Sequence, residues 1–313
     1  MDMATQFIIL FGTMFIGLLA FKIGLLNNKS LDGFCKFTVY IGFPALLVYR
    51  TSLIELTDEV LHSFFMMILL GGLVLVVTIL VAHFYYRFRK LTQGEKNVLE
   101  FCSYTGNNGF IGIPMALAFW GEQGLFYMIA TNVFICFAIW VYGILVLQRG
   151  GNQRTTFKQM AKATLKCFIN PNIIATVVGL IISLLHLTLP AGLTGLLSGI
   201  GDTASPMAMI FLGASLTGEK VTNLLKDKLV IDCTIMRLFV SPLLTLALVW
   251  FLPIDSLMKS ILVFMMILPV GATMPMIVST MDGDAVFTSK NVLMTTILSI
   301  GTIPLWMLVI NTL

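Results

Sequence analysis

Residues 105–114 read TGNNGFIGIP, and residues 267–279 read ILPVGATMPMIVS. Both stretches set amide and hydroxyl side chains among glycines and prolines inside material that is otherwise apolar. Proline removes a helical hydrogen bond and clashes with the preceding turn, while glycine lets the backbone leave helical geometry. Gly106, Gly109, Gly112 and Pro114 interrupt the first stretch; Pro269, Gly271 and Pro275 interrupt the second. Pro114 and Pro275 suit the first position of a helix, where the missing N–H costs nothing. Short helices are therefore expected over 114–121 and 275–281, starting in mid-stretch. A helix N-terminus carries roughly half a positive charge and unpaired N–H donors, so two of them form an anion-binding niche. Asn107, Asn108 and Thr273 add neutral donors suited to a carboxylate. Neither break contains an acidic residue, which disfavours a bare cation as the ligand.

Other chemistries find no support. The segment LGASLTG at 212–218 lacks the G-x-S-x-G spacing of a serine nucleophile, and H-E-x-x-H is absent. The three histidines and five cysteines are dispersed, with no CxxC pair and no zinc-type spacing. An enzyme is not expected, nor is a metal or cofactor.

The elements that carry the two breaks are apolar throughout. Of 313 residues, 58% are hydrophobic and 11% charged, against about 25% charged in a soluble domain. The mean hydropathy is +0.97. At about 20 apolar residues per crossing, the chain divides into ten spans: 5–26, 35–54, 62–85, 97–120, 124–147, 168–187, 191–216, 229–251, 257–280 and 290–311. The first run lacks a basic cluster before it and a small-residue cleavage pattern after it, so it is expected to be a span and not a signal peptide. Fifteen Lys and Arg lie in loops on one side, and only Arg50 and Lys259 lie on the other. The richer side is cytoplasmic by the positive-inside rule, which places both termini outside. The net charge of +4 follows from these loops and requires no nucleic acid.

The basic segment 148–166 separates two five-span halves, 1–147 and 167–313. An odd number of spans per half makes related halves an inverted repeat. GFPALLVYR around Pro44 matches ASPMAMIFL around Pro206, and LTDEV at 56–60 resembles LTGEK at 216–220. IPMALAFWGEQG from Ile113 aligns with MPMIVSTMDGDA from Met274, 161 residues on. The two breaks then fall in corresponding spans, four and nine. Freed backbone groups in hydrocarbon survive only where protein or a wet cavity receives them. Paired broken spans in two repeats point to a transporter's binding site.

Three charges lie within spans, where they default to functional candidates. Glu100 stands one turn into span four, within i,i+4 reach of Lys96. Asp232 and Arg237 lie in span eight, Arg237 deeper. Arg237 is expected to neutralise a substrate carboxylate or to pair with Glu100 or Asp232. Glu100 and Asp232 are candidate proton-coupling groups.

NNGFIGIPMALAFWGEQGL (107–125) resembles the signature of the auxin efflux carrier family in its bacterial, malate/malonate permease-like branch. GDTASPMAMIFLGASL (201–216) is similar to that family's seventh span, and 268–309 to its last two. Threonine is commoner in the family at Asn108. The resemblance implies an all-α membrane protein of ten helices in a 5+5 inverted repeat, similar to bile-acid symporters and sodium–proton antiporters. Spans 1, 2, 6 and 7 would form a dimerising scaffold; spans 3–5 and 8–10 would form a moving unit in which broken spans 4 and 9 cross. It implies elevator-type carriage of organic anions such as malate, malonate or auxin-like acids across the cytoplasmic membrane. The expected ligand-binding residues are Asn107, Asn108, Gly109, Pro114, Gly271, Thr273 and Pro275. Coupling to protons, to sodium, to exchange or to nothing is left open by the residues. A sodium-coupled symporter and a passive anion channel are the alternatives.

Overall fold

The computed structural model describes residues 3–150, 169–217, 221–279, 281 and 283–313. Most of the basic 148–166 segment, with Arg154, Lys158, Lys162 and Lys166, lies outside these residues, as do Cys167, Lys220, Thr280 and Asp282. Among the described residues the chain is helical, relieved by one isolated antiparallel bridge between Gly106 and Val270.

In chain order the helices are α1 Met3–Lys22, α2 Asn28–Phe37, α3 Phe43–Ser52, α4 Asp58–Arg87, α5 Gln93–Tyr104, α6 Ile113–Phe137 and α7 Gly143–Leu147. After the linker come α8 Pro171–Leu184, α9 Ala191–Asp202, α10 Ala204–Ser215, α11 Val221–Leu224 and α12 Lys228–Ile235. The last four are α13 Ser241–Trp250, α14 Ser256–Ile267, α15 Met274–Ser279 and α16 Ala285–Ile310. The starts are capped as the sequence allows. Thr92 and Glu95 form a reciprocal capping box at α5, and the Asp227, Asp255 and Asp284 carboxylates accept first-turn amides of α12, α14 and α16.

Three π turns have a shared cause. Thr38–Gly42, Asn108–Gly112 and Met236–Val240 each end two residues before a proline: Pro44, Pro114 and Pro242. Proline supplies no N–H and its ring presses on the carbonyl four residues back; widening the preceding turn relieves that pressure. For Pro242 that carbonyl belongs to Leu238, and the Trp306 indole N–H donates to it at 2.9 Å. The backbone group that proline orphans is thereby repaired from another helix.

Among the described residues, seven helical stretches are long and apolar enough to cross a membrane. One of them, Asn108–Leu147, runs 40 residues. At 1.5 Å per residue this would extend about 60 Å, about twice the ~30 Å hydrocarbon thickness. It does not run straight. Gly121 takes φ 63° and ψ −150°, a conformation nearly confined to glycine. The chain turns there, where the first short helix was expected to end. Two further apolar helices, Pro171–Leu184 and Ser256–Ile267, are shorter.

The helices pack in two groups. In one, α1 lies against α10, and α3 lies against α8 and α9. In the other, α4 packs on α5 and α6, α14 on α13 and α16, and α12 on α16. The π turn 108–112 bridges them by touching α10, where Phe110 meets Phe211 at 5.0 Å between ring centroids.

Candidate crossover site

The two breaks meet. Asn107 N–H donates to the Pro269 carbonyl at 2.8 Å, and Gly271 N–H donates to the Thr105 carbonyl at 3.1 Å. A two-stranded exchange thus forms at the point where α5 and α14 end, and each break satisfies backbone groups that the other has freed. Thr295 of α16 completes the repair: its hydroxyl accepts from Val270 N–H at 3.1 Å and donates to the Asn291 carbonyl at 2.7 Å.

Arg237 lies immediately beside this exchange and is fully buried. Its Nε donates to the Leu268 carbonyl at 2.7 Å, Nη2 to Met265 at 3.0 Å and Nη1 to Ser103 at 3.3 Å. These are the terminal carbonyls of α5 and α14. Each helix C-terminus carries roughly half a negative charge, so one guanidinium balances both. The expectation that Arg237 pairs with Glu100 or Asp232 is therefore corrected: its partners are backbone carbonyls and, at 3.6 Å, the Met266 sulfur. Position 106 is glycine for the same reason, since a Cβ there would stand 2.2 Å from Nη2.

Beside the same exchange the polar groups are not all paired. Asn107 and Asn108 are 3% and 2% exposed. Asn107 Oδ1 accepts from Phe110 N–H at 3.2 Å and caps the π turn, but its Nδ2 has no partner among the described residues. Neither Nδ2 nor Oδ1 of Asn108 has one. Leaving a buried polar group unsatisfied costs about 1–3 kcal/mol, so such groups ask for a ligand or water. Because Asn107 is the cap, the first half-helix begins at Asn108 and not at Pro114, which sits buried one turn further in. Gly109 lies within that first turn, half-buried. Its Cβ would meet nothing within 4 Å.

In the second break, Gly271 is buried, and Thr273 and Pro275 are half-buried. The half-helix here, α15, spans only Met274–Ser279, and its expected extension to 281 meets an undescribed Thr280. Pro275 and Ala272 line a cavity of about 150 Å³ together with Ser215 of α10 and Thr296 of α16.

The other two candidate charges lie elsewhere. Glu100, 3% exposed, accepts from Arg149 Nη1 at 2.8 Å and from the Tyr142 hydroxyl at 2.6 Å, with His83 Nδ1 3.0 Å away. This ties α4, α5 and the end of α7. The expected Lys96 partner turns instead to the Arg87 carbonyl at 3.1 Å. Asp232 accepts from Arg89 at 3.1 Å and from the Tyr85 hydroxyl, holding α12 to the end of α4.

One cluster escaped sequence reasoning. Arg50 at the end of α3 pairs with Glu122, just past the Gly121 turn, and at 3.2 Å with Asp202 of α9. It borders a cavity of about 310 Å³ that also reaches Glu59, Ser63 and Tyr127. Its members stand 72 and 152 positions apart, so no local pattern marks them. Among the described residues no group of three or more His, Cys, Asp or Glu is placed to hold a metal ion.

Comparison with known proteins agrees with the resemblance drawn from the motifs. Residues 2–307 match the model of the membrane transport protein family. The chain is 25% identical over 301 residues to an "Uncharacterized transporter" of Methanothermobacter thermautotrophicus, covering 94% of each. It is 25% identical over 289 residues to the "Uncharacterized transporter MJ1031" of Methanocaldococcus jannaschii, covering 90% of this chain and 91% of that one. A Rhizobium meliloti protein named "Putative malonate transporter" is 26% identical over 215 residues, 66% of this chain and 64% of its own length.

Proposed function

The chain belongs to the membrane transport protein family, and on that footing we propose that it is a secondary carrier of small organic anions, with the ligand held where the two breaks cross. The observation that carries this reading is the electrostatic asymmetry of the crossing. Arg237 balances the C-terminal ends of α5 and α14. Beside it lies the N-terminal turn at 108–112, capped by Asn107, and three side-chain amide atoms of Asn107 and Asn108 stay unpaired among the described residues. A carboxylate answers both the positive helix end and the amide N–H donors. Malonate and malate are the first substrates to test, malonate being named for one relative. A sodium-coupled symporter fits less well, because the carbonyls that would face a cation at the crossing are already held by a guanidinium.

The ten-span, 5+5 reading draws support from the breaks. The turn at Gly121 divides Asn108–Leu147 into a half-crossing and a full one. The short α14 then stands to α15 as α5 stands to the 108–120 half-helix. The pairing of α1 with α10 and α3 with α8 has the symmetry of inverted halves, in which spans one and two exchange with six and seven. On this reading the α1–α3 and α8–α10 group is a homodimerising scaffold, and the remainder moves through the cytoplasmic membrane as an elevator, with both termini outside. The Arg50–Glu122–Asp202 cluster then closes the outer side, while the cavity at Pro275 opens towards the side of the basic loops.

Uptake by purified protein in liposomes tests the function. Saturable [14C]malonate uptake, stimulated by internal malonate, is expected; uptake linear in concentration and without counterflow would mark a channel instead. Glu122→Gln tests the outer closure. A half-exposed ion pair is worth about 0.2–1 kcal/mol, so the outward-open population should rise roughly 1.5- to 5-fold. Labelling of Ser63→Cys from outside reads that rise, and an unchanged rate removes the latch from the mechanism.

A further inference from the structure

We propose that the seam between α4 and the α6–α7 segment binds one anionic phospholipid, with an acyl chain in its apolar groove and the phosphate in a cationic cavity at the groove's end. The groove encloses about 440 Å³ and the cavity about 370 Å³. They lie along one line on both helices. Ile79 lines the groove while His83 and Arg87, at steps of four, line the cavity; Leu145 lines the groove, and Arg149, four residues on, lines the cavity. Tyr142 joins the two compartments: it lines the groove, and its hydroxyl donates to Glu100, which lines the cavity.

The charges favour a phosphate. Glu100, the one acidic residue lining the cavity, is already paired with Arg149 at 2.8 Å. Lys96 donates to the Arg87 carbonyl, and Arg87 makes no ion pair with any described residue. Two cations therefore stand uncompensated where an apolar channel between two membrane helices ends. A basic pocket of this kind recognises an anionic headgroup, and the groove beside it, about as apolar as a hydrocarbon chain, selects a lipid over a free anion. The inference needs only that the chain lies in a bilayer, so failure of the carboxylate assignment would leave it intact.

The test is a native mass-spectrometric titration of the full-length detergent-purified protein with phosphatidylglycerol, phosphatidylcholine and glycerol 1-phosphate. One phosphatidylglycerol per chain is expected, bound at least tenfold more tightly than phosphatidylcholine. Removing two interfacial cations in R87Q/K96Q should weaken it by on the order of tenfold or more. Val76→Trp, which fills the groove and leaves the cations in place, should weaken it similarly. Equal binding of phosphatidylcholine would overturn the proposal, as would wild-type affinity in either variant. So would displacement by glycerol 1-phosphate at matching concentration, which would mark a soluble-anion site. An absence of any adduct on the wild-type protein also overturns it.

Discussion

Replacing Arg237 with methionine is expected to lower the thermal midpoint of the purified protein by on the order of 10 °C. The guanidinium is fully buried and serves three carbonyls on two helix ends. Methionine fills the volume but donates nothing, so those carbonyls face one another unpaired, with two negative helix ends a few ångströms apart. Removing one side of a buried charged network costs about 3–5 kcal/mol. At roughly 2–4 °C per kcal/mol for a chain of a few hundred residues, the shift follows. Arg237→Lys keeps the charge but loses the planar fork that spans separate acceptors, so less than half of the loss should be recovered. A methionine variant that melts within 2 °C of the parent would mean that the crossing does not depend on this residue.

The second large effect is on binding. Asn108→Ala removes an amide whose two polar atoms have no partner among the described residues. The empty protein should therefore be no less stable, and it sheds an unsatisfied group worth about 1–3 kcal/mol when left buried. Affinity for a carboxylate should fall, because a hydrogen bond to a charged group is worth about 1.5–3 kcal/mol, or roughly 10- to 100-fold. Asn107→Ala should show the same loss plus about 1 kcal/mol of instability from its missing cap. Both quantities come from one melting experiment with and without malonate, since ligand stabilisation scales with concentration over Kd. An Asn108→Ala protein that responds to malonate like the parent would move the site elsewhere.

Much of the candidate site was legible because its signals are local. Asn107, Gly109, Pro114, Gly271 and Pro275 announce broken helices by residue type alone, and the family match confirms the class of protein. The start of the first half-helix was misplaced by six residues because Asn107 caps a π turn, a geometry that Pro114 imposes from further along the chain. The expected pairing of Arg237 with Glu100 or Asp232 fails because sequence pattern counts side-chain charges and omits the partial charges at helix ends. Nothing in the spacing of Arg50, Glu122 and Asp202 suggests that they meet.

The sequence by itself determined that the chain is apolar enough to live in a membrane, and that two of its apolar stretches break. Those are consequences of composition and of backbone chemistry residue by residue, and they hold wherever the helices finally lie. Only the tertiary structure decided that the breaks exchange backbone hydrogen bonds, that Arg237 balances both helix ends, and that two buried asparagines keep side-chain atoms without a partner among the described residues. Electrostatic balance depends on distances between segments more than 130 residues apart, and only packing sets those distances.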